Sequence, residues 1–202
     1  MTDSELTDTD QNMINVTTEP TPNPATKKFL PGRAVMESGT ANFPSADTAA
    51  ASPLAIRLFG VDGVSGVFLG ADFISVAKRG AADWAAIEPL AIREIAAHFE
   101  TGAPVMESRA DADAGVRQER AEDAADADVI ARIRELLDTR IRPSVALDGG
   151  DIVYRGFERG VVYLSLQGAC LGCPSSSATL KMGVENLLKH YVPDVLRVEA
   201  VS

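Results

Sequence analysis

The hydrophobic positions of the chain change period several times, and each change marks an element. Met13 to Val16 reads as a strand, and Pro20, Pro22 and Pro24 punctuate the approach to an extended run at Lys28–Leu30. Ser52 followed by Pro53 is a helix N-cap with proline at the first helical position, and Gly60 ends that short helix. Val67–Leu69 and Phe73–Ala77 flank Gly70-Ala71-Asp72 and predict a hairpin. Asp83 then caps a longer helix whose buried stripe is Ile87, Leu90, Ile95 and Phe99, closed by Gly102 and Pro104.

Further along, Ile130, Ile133, Leu137 and Ile141 recur at helical spacing, and Pro143 is expected to close that helix because it disfavours α geometry in Arg142. Ile152–Phe157 and Val161–Leu166 surround Glu158-Arg159-Gly160 and predict an antiparallel hairpin. Leu180, Val184, Leu187 and Tyr191 line one helical face as far as Pro193. Leu196, Val198 and Ala200 alternate with Arg197 and Glu199, the pattern of a half-buried final strand. The second half therefore runs helix, strand, strand, helix, strand.

The expected architecture is α+β: two small domains, 12–104 and 128–202, after a disordered start at 1–11. Between them, 105–127 reads as an acidic, alanine-rich linker. From Glu107 to Asp128 there are eight acids against three arginines. Such sequence buries too little apolar surface to offset its ordering entropy. A second domain of about 75 residues gains stability from a partner copy or a bound group.

Charge narrows the functions. A net charge of -10 repels a phosphate backbone, so nucleic acid is excluded as a partner. No run of about 18 apolar residues occurs, so no membrane helix is expected. Met1 to Glu19 carries acids and neither Lys nor Arg, unlike a transit peptide, which places the expected location in the bacterial cytoplasm. Thiols stay reduced there, so the chain's two cysteines read as chemistry rather than as a structural disulfide.

Those cysteines lie in Gly168-Ala169-Cys170-Leu171-Gly172-Cys173-Pro174, where a strand gives way to a loop and then to a helix. Glycines let backbone N–H groups approach an anionic cluster, and a helix N-terminus favours the thiolate that metals bind. Ser175 to Ser177 offer hydroxyl caps there. A tetrahedral metal site or a common iron–sulfur cluster needs four such ligands, and one chain brings two. His98 and His190 lie outside the loop. Two copies facing each other across a two-fold axis close the site. Spacing alone leaves open a thiol–disulfide oxidoreductase, although that fold wants a βαβ unit and a hairpin precedes these cysteines. A structural zinc site also remains open, as does a pair of small core residues, although a glycine-rich surface loop suits the latter poorly.

Other features read as structural. Asp148 and Asp151 flank a Gly-Gly turn, Gly183 marks close helix packing, Trp84 belongs to a core, and Gly60, Gly63 and Gly66 lack the Lys of a phosphate loop.

The runs Leu147-Asp148-Gly149-Gly150-Asp151, Gly168 to Ser176, Thr179 to Glu185 and Tyr191-Val192-Pro193 resemble the Nfu (NifU C-terminal-like) family of iron–sulfur scaffold and carrier proteins. Thr21-Pro22-Asn23-Pro24, Lys28 to Gly32, Asp62 to Val67 and Asp72-Phe73-Ile74 resemble the N-terminal domain of its two-domain members, with Lys27 where an apolar residue is usual. The resemblance implies a protein that is not an enzyme. It implies a [4Fe-4S] cluster, or a [2Fe-2S] cluster, bound by Cys170 and Cys173 and shared between two subunits of a homodimer. It also implies apo iron–sulfur proteins as recipients and upstream assembly proteins as partners.

Overall fold

The structure is a computed structural model that describes residues 14–107, 126–171 and 174–201, with the backbone alone for 174–178. The disordered start expected at 1–11, residues 108–125 of the expected acidic linker, and Cys173 lie outside the described residues.

The first region is a five-stranded antiparallel sheet in the order β1-β2-β5-β4-β3, built from β1 (Thr17–Pro20), β2 (Thr26–Leu30), β3 (Ala41–Phe43), β4 (Val64–Leu69) and β5 (Ile74–Lys78). Two helices, α1 (Pro53–Phe59) and α2 (Trp84–Glu100), complete it, and Leu54, Leu58, Ile87 and Ile95 bury against Phe29 and Val76 in one core. The expected caps hold: Ser52 Oγ accepts from Ala55 N–H at 3.1 Å, and Asp83 accepts from Ala85 N–H. The first strand begins at Thr17 rather than Met13. Ile14 and Val16 pack into the core, while β1 is a largely exposed edge whose residues need only pair with β2, so its polar sequence hid it.

On α2 the buried stripe runs Ile87, Ala91, Ile95, His98, and Leu90 turns outward. Thus His98 is fully buried, and neither ring nitrogen finds a hydrogen-bond partner among the described residues. Burial, and secondarily the charge of Arg57, hold its pKa below the usual 6.5. Lys27 departs from an apolar pattern for a visible reason: it pairs with Glu88 and lies 5.3 Å from the Trp84 ring.

The second region holds α3 (Ala127–Leu136), a π-helical turn at Leu137–Ile141, α4 (Arg142–Leu147), β6 (Gly150–Glu158), β7 (Val161–Gly168), α5 (Pro174–Tyr191) and β8 (Arg197–Val201). Pro143 does not end the helix. The π turn re-phases the hydrogen bonds, so Pro143 falls in the first turn of a restarted helix, where its missing N–H is not needed. Arg159 (φ 49°) and Gly160 (φ 79°) make the two-residue hairpin turn between β6 and β7. β8 joins β7 in parallel, giving the order β6-β7-β8. Only Val198 of the final alternation is buried, and Leu188 joins Val184 on the core face of α5. Gly183 faces open space, which removes close packing as its reason.

Both regions are thus α+β, the first all antiparallel and the second mixed. Val105 and Met106 pack on the first core, and Ser52 Oγ donates to the Val105 carbonyl at 2.7 Å.

Candidate functional site

The β6–β7 register sets Gly150 opposite Gly168, so the chain entering the hairpin and the chain leaving it meet beside Cys170. Gly149 (φ 82°) and Gly168 (φ 60°) occupy the left-handed region that favours glycine. A β-carbon on Gly150 would stand 2.6 Å from Cys170 Sγ, and one on Gly168 would stand 2.7 Å from the Gly149 carbonyl. Ala169 N–H donates to that carbonyl at 3.1 Å, and Leu171 N–H donates to Gly168 O at 3.1 Å, which closes the turn carrying the cysteine.

Cys170 is only 6% exposed and packs with the core of the second region. This corrects the expectation of a surface-loop thiol. The neighbouring Leu171 is 50% exposed, and Leu147, two residues before Gly149, is 76% exposed. α5 opens at Pro174, as the sequence predicted, and its N-terminal amides place positive potential at the end of the loop.

Asp151 is not a turn residue. It is 3% exposed and accepts from Arg142 Nε and a terminal guanidinium nitrogen, both at 2.8 Å, from Thr40 Oγ1 at 2.9 Å and from Ile152 N–H at 2.7 Å. Hydrogen bonding to Asp151 above all holds Arg142 firmly protonated. The pair ties α4 to the start of β6, and so fixes Gly149-Gly150 under Cys170.

The first region also reaches this loop. Asn23 Nδ2 donates to the carbonyls of Ala169 (3.2 Å) and Leu171 (3.1 Å), Ser75 Oγ donates to Gly149 O (2.6 Å), and Lys28 Nζ donates to Leu147 O (3.3 Å). Sequence reasoning singled out the Thr21-Pro22-Asn23-Pro24 segment but gave these residues no role at the cysteines. An amide bracketed by prolines was the available signal.

Neither histidine is a ligand candidate. His98 is buried on α2 of the first region, and His190, one residue before the end of α5, stands roughly 24 Å along the axis from Pro174. Among the described residues no three His, Cys, Asp or Glu side chains gather to hold a metal ion. A cleft of about 870 Å³ lies between the two regions, lined by Met36, Met106, Arg134 and Tyr154 among others, and does not include the cysteine loop. The parallel β7–β8 pairing makes β7-α5-β8 a βαβ unit, so topology no longer argues against the oxidoreductase reading.

Comparison with known proteins gives the family. Residues 16–102 match the family described as scaffold protein Nfu/NifU N terminal, and 133–199 match the NifU-like domain. The NFU1 iron-sulfur cluster scaffold homolog, mitochondrial, of Homo sapiens is 46% identical over 188 residues, covering 92% of this chain and 71% of that protein. Its counterpart in Drosophila sechellia is 50% identical over 187 residues, covering 92% of this chain and 64% of that protein, so the chain spans less than two thirds of that relative. NifU-like protein 5, mitochondrial, of Arabidopsis thaliana is 46% identical, covering 91% of this chain and 66% of that protein. A solution structure of a NifU-like protein from Saccharomyces cerevisiae overlaps 54% of this chain and 96% of that one, at 23% identity and a TM-score of 0.45, too loose to bear on the site. The relatives are mitochondrial proteins by name, which overturns the expected bacterial cytoplasmic location. The acidic opening residues do not decide the compartment.

Proposed function

We propose that this chain, which belongs to the Nfu/NifU-like family of non-catalytic iron–sulfur cluster scaffold proteins, binds a [4Fe-4S] cluster between two copies through Cys170 and Cys173. The observation that carries this reading is the ligand count. The chain has two cysteines, both within the NifU-like match, and a cluster needs four. Leu147 and Leu171, exposed beside the loop, supply apolar surface for a second copy. The amides at the start of α5 suit an anionic, sulfide-rich cargo.

The cluster is cargo, delivered by upstream assembly proteins and passed to apo iron–sulfur recipients. Transfer is ligand exchange: a recipient thiol gives up its proton, its sulfur forms an Fe–S bond, and Cys170 or Cys173 leaves as thiolate and takes that proton. No net electron moves. A [2Fe-2S] form uses the same four sulfurs. The acidic linker between a first domain at 12–104 and a second at 128–202 falls within 105–127, whose ends join the domains: Val105 and Met106 lie on the first core and Ala127 begins α3.

Anaerobic reconstitution with iron and sulfide should give a brown protein with about four iron and four sulfide per two chains. Cys170→Ser and Cys173→Ser should each abolish it. Retention of the cluster by either variant would falsify the assignment. Zinc in place of iron after air-free purification from metal-replete cells would transfer the site to a structural metal, and thiol-dependent turnover of a test disulfide would transfer it to redox chemistry.

A further inference from the structure

Cys170 and the proposed function pull in different directions. A sulfur shared with a second chain has to face outward, yet Cys170 is 6% exposed and packed into the second core, with Gly150 tight against its Sγ. The loop must therefore turn to present the thiol, and whatever holds its backbone controls that turn. The carbonyls of Ala169 and Leu171, immediately before and after Cys170, are both held by one side chain of the first region, Asn23.

Asn23 is itself braced. It is 6% exposed, and its Oδ1 accepts from Ala25 N–H at 3.0 Å, which with the two carbonyl acceptors fixes the orientation of the amide. Pro24 restricts the backbone of Asn23 to extended geometry. Thr21 Oγ1 donates to the Asn23 carbonyl at 2.9 Å, and Trp84 Nε1 donates to the Pro24 carbonyl at 3.1 Å. Ser75 adds a third tie, to Gly149 on the other side of the same turn.

We infer that Asn23 is a positioning residue: through it the first region latches the cysteine loop with Cys170 turned inward, and release of this latch precedes capture of a cluster between two chains. The inference rests on the reading given under Proposed function, and its test does not need a cluster. The full chain, reduced, metal-free and carrying Cys173→Ser so that one thiol remains, is reacted with N-ethylmaleimide. Asn23→Asp keeps the size of the side chain and the acceptor for Ala25 N–H, but sets oxygen against the two carbonyls. With two hydrogen bonds lost, labelling of Cys170 should accelerate at least about tenfold. Ser75→Ala should accelerate it by a smaller factor.

Fluorescence of Trp84 during urea unfolding serves as the control for the first region. Faster labelling in Asn23→Asp with an unchanged Trp84 midpoint supports the latch, as does faster cluster uptake when Cys173 is restored. Equal labelling rates overturn it, and so does acceleration that appears only where the Trp84 midpoint has fallen. If the unsubstituted chain bound no cluster at all, the proposed function would fail while the labelling result stood.

Discussion

Replacing Gly150 with alanine forces a methyl group into space already held by Cys170. The new carbon would stand 2.6 Å from Sγ, 2.7 Å from the Gln167 carbonyl oxygen and 3.1 Å from Cys170 N. Non-bonded heavy atoms rest about 3.5–4.0 Å apart, so the two closest contacts overlap by roughly an ångström. Gln167 pairs with Asp151 in the β6–β7 ladder and cannot retreat without opening the strand end. Overpacking of this kind costs about 1–3 kcal/mol, and the lower entropy of the unfolded alanine chain returns about 0.4–1 kcal/mol, leaving a net loss of roughly 1–2 kcal/mol. Gly183→Ala is the internal control. No heavy atom lies within 4 Å of its β-carbon, and it sits inside α5, so it should stabilise by about 1 kcal/mol. Urea unfolding of the metal-free chain by circular dichroism should shift the midpoint of the second region downward for the first variant and upward for the second. Displaced from its seat, Cys170 should also react faster with a maleimide in Gly150→Ala. An unchanged midpoint together with an unchanged labelling rate would refute the packing of the loop.

Two further substitutions probe the supports. Arg142→Leu strips Asp151 of its cation. Breaking a fully buried pair costs about 3–5 kcal/mol, but Arg142 is 37% exposed and Thr40 remains, so about 2–3 kcal/mol is expected by urea titration. The double variant Arg142→Leu/Asp151→Leu should recover part of it, and no recovery would show that the loss is not electrostatic. His98→Leu removes two buried nitrogens that lack hydrogen bonds and should stabilise the first region by about 1 kcal/mol. Because the folded pKa of His98 lies below 6.5, the unfolded chain binds the proton more readily. The native protein therefore loses stability as pH falls below about 6.5 toward that folded value. His98→Leu should flatten this slope in Trp84-monitored unfolding between about pH 7.5 and 5.5, and an identical slope in both proteins would place the sensitivity elsewhere.

The sequence revealed what local chemistry decides. The caps at Ser52 and Asp83, the Arg159-Gly160 turn, and the start of α5 at Pro174 each depend on a few adjacent residues, and each stands where the pattern put it. Features set by distant partners were not legible. β1 is polar and forms because β2 is there to pair with it. Pro143 sits inside a helical run because a π turn shifts the hydrogen bonds ahead of it. His98 looked polar, yet it shares the buried face of α2 with Ile87, Ala91 and Ile95. At the cysteines, spacing marked the loop, but the inward turn of Cys170 and its ties to Asn23 and Ser75 depend on contacts spanning 146 and 74 residues of chain.

The sharing of one cluster by two chains is tested most directly by native mass spectrometry of protein reconstituted and sprayed without oxygen. The expected spectrum shows the metal-free chain as a monomer and a loaded species with the mass of two chains plus one [4Fe-4S] cluster, absent from Cys170→Ser. A cluster carried by a single chain, or by two chains that both lack Cys170, would contradict it.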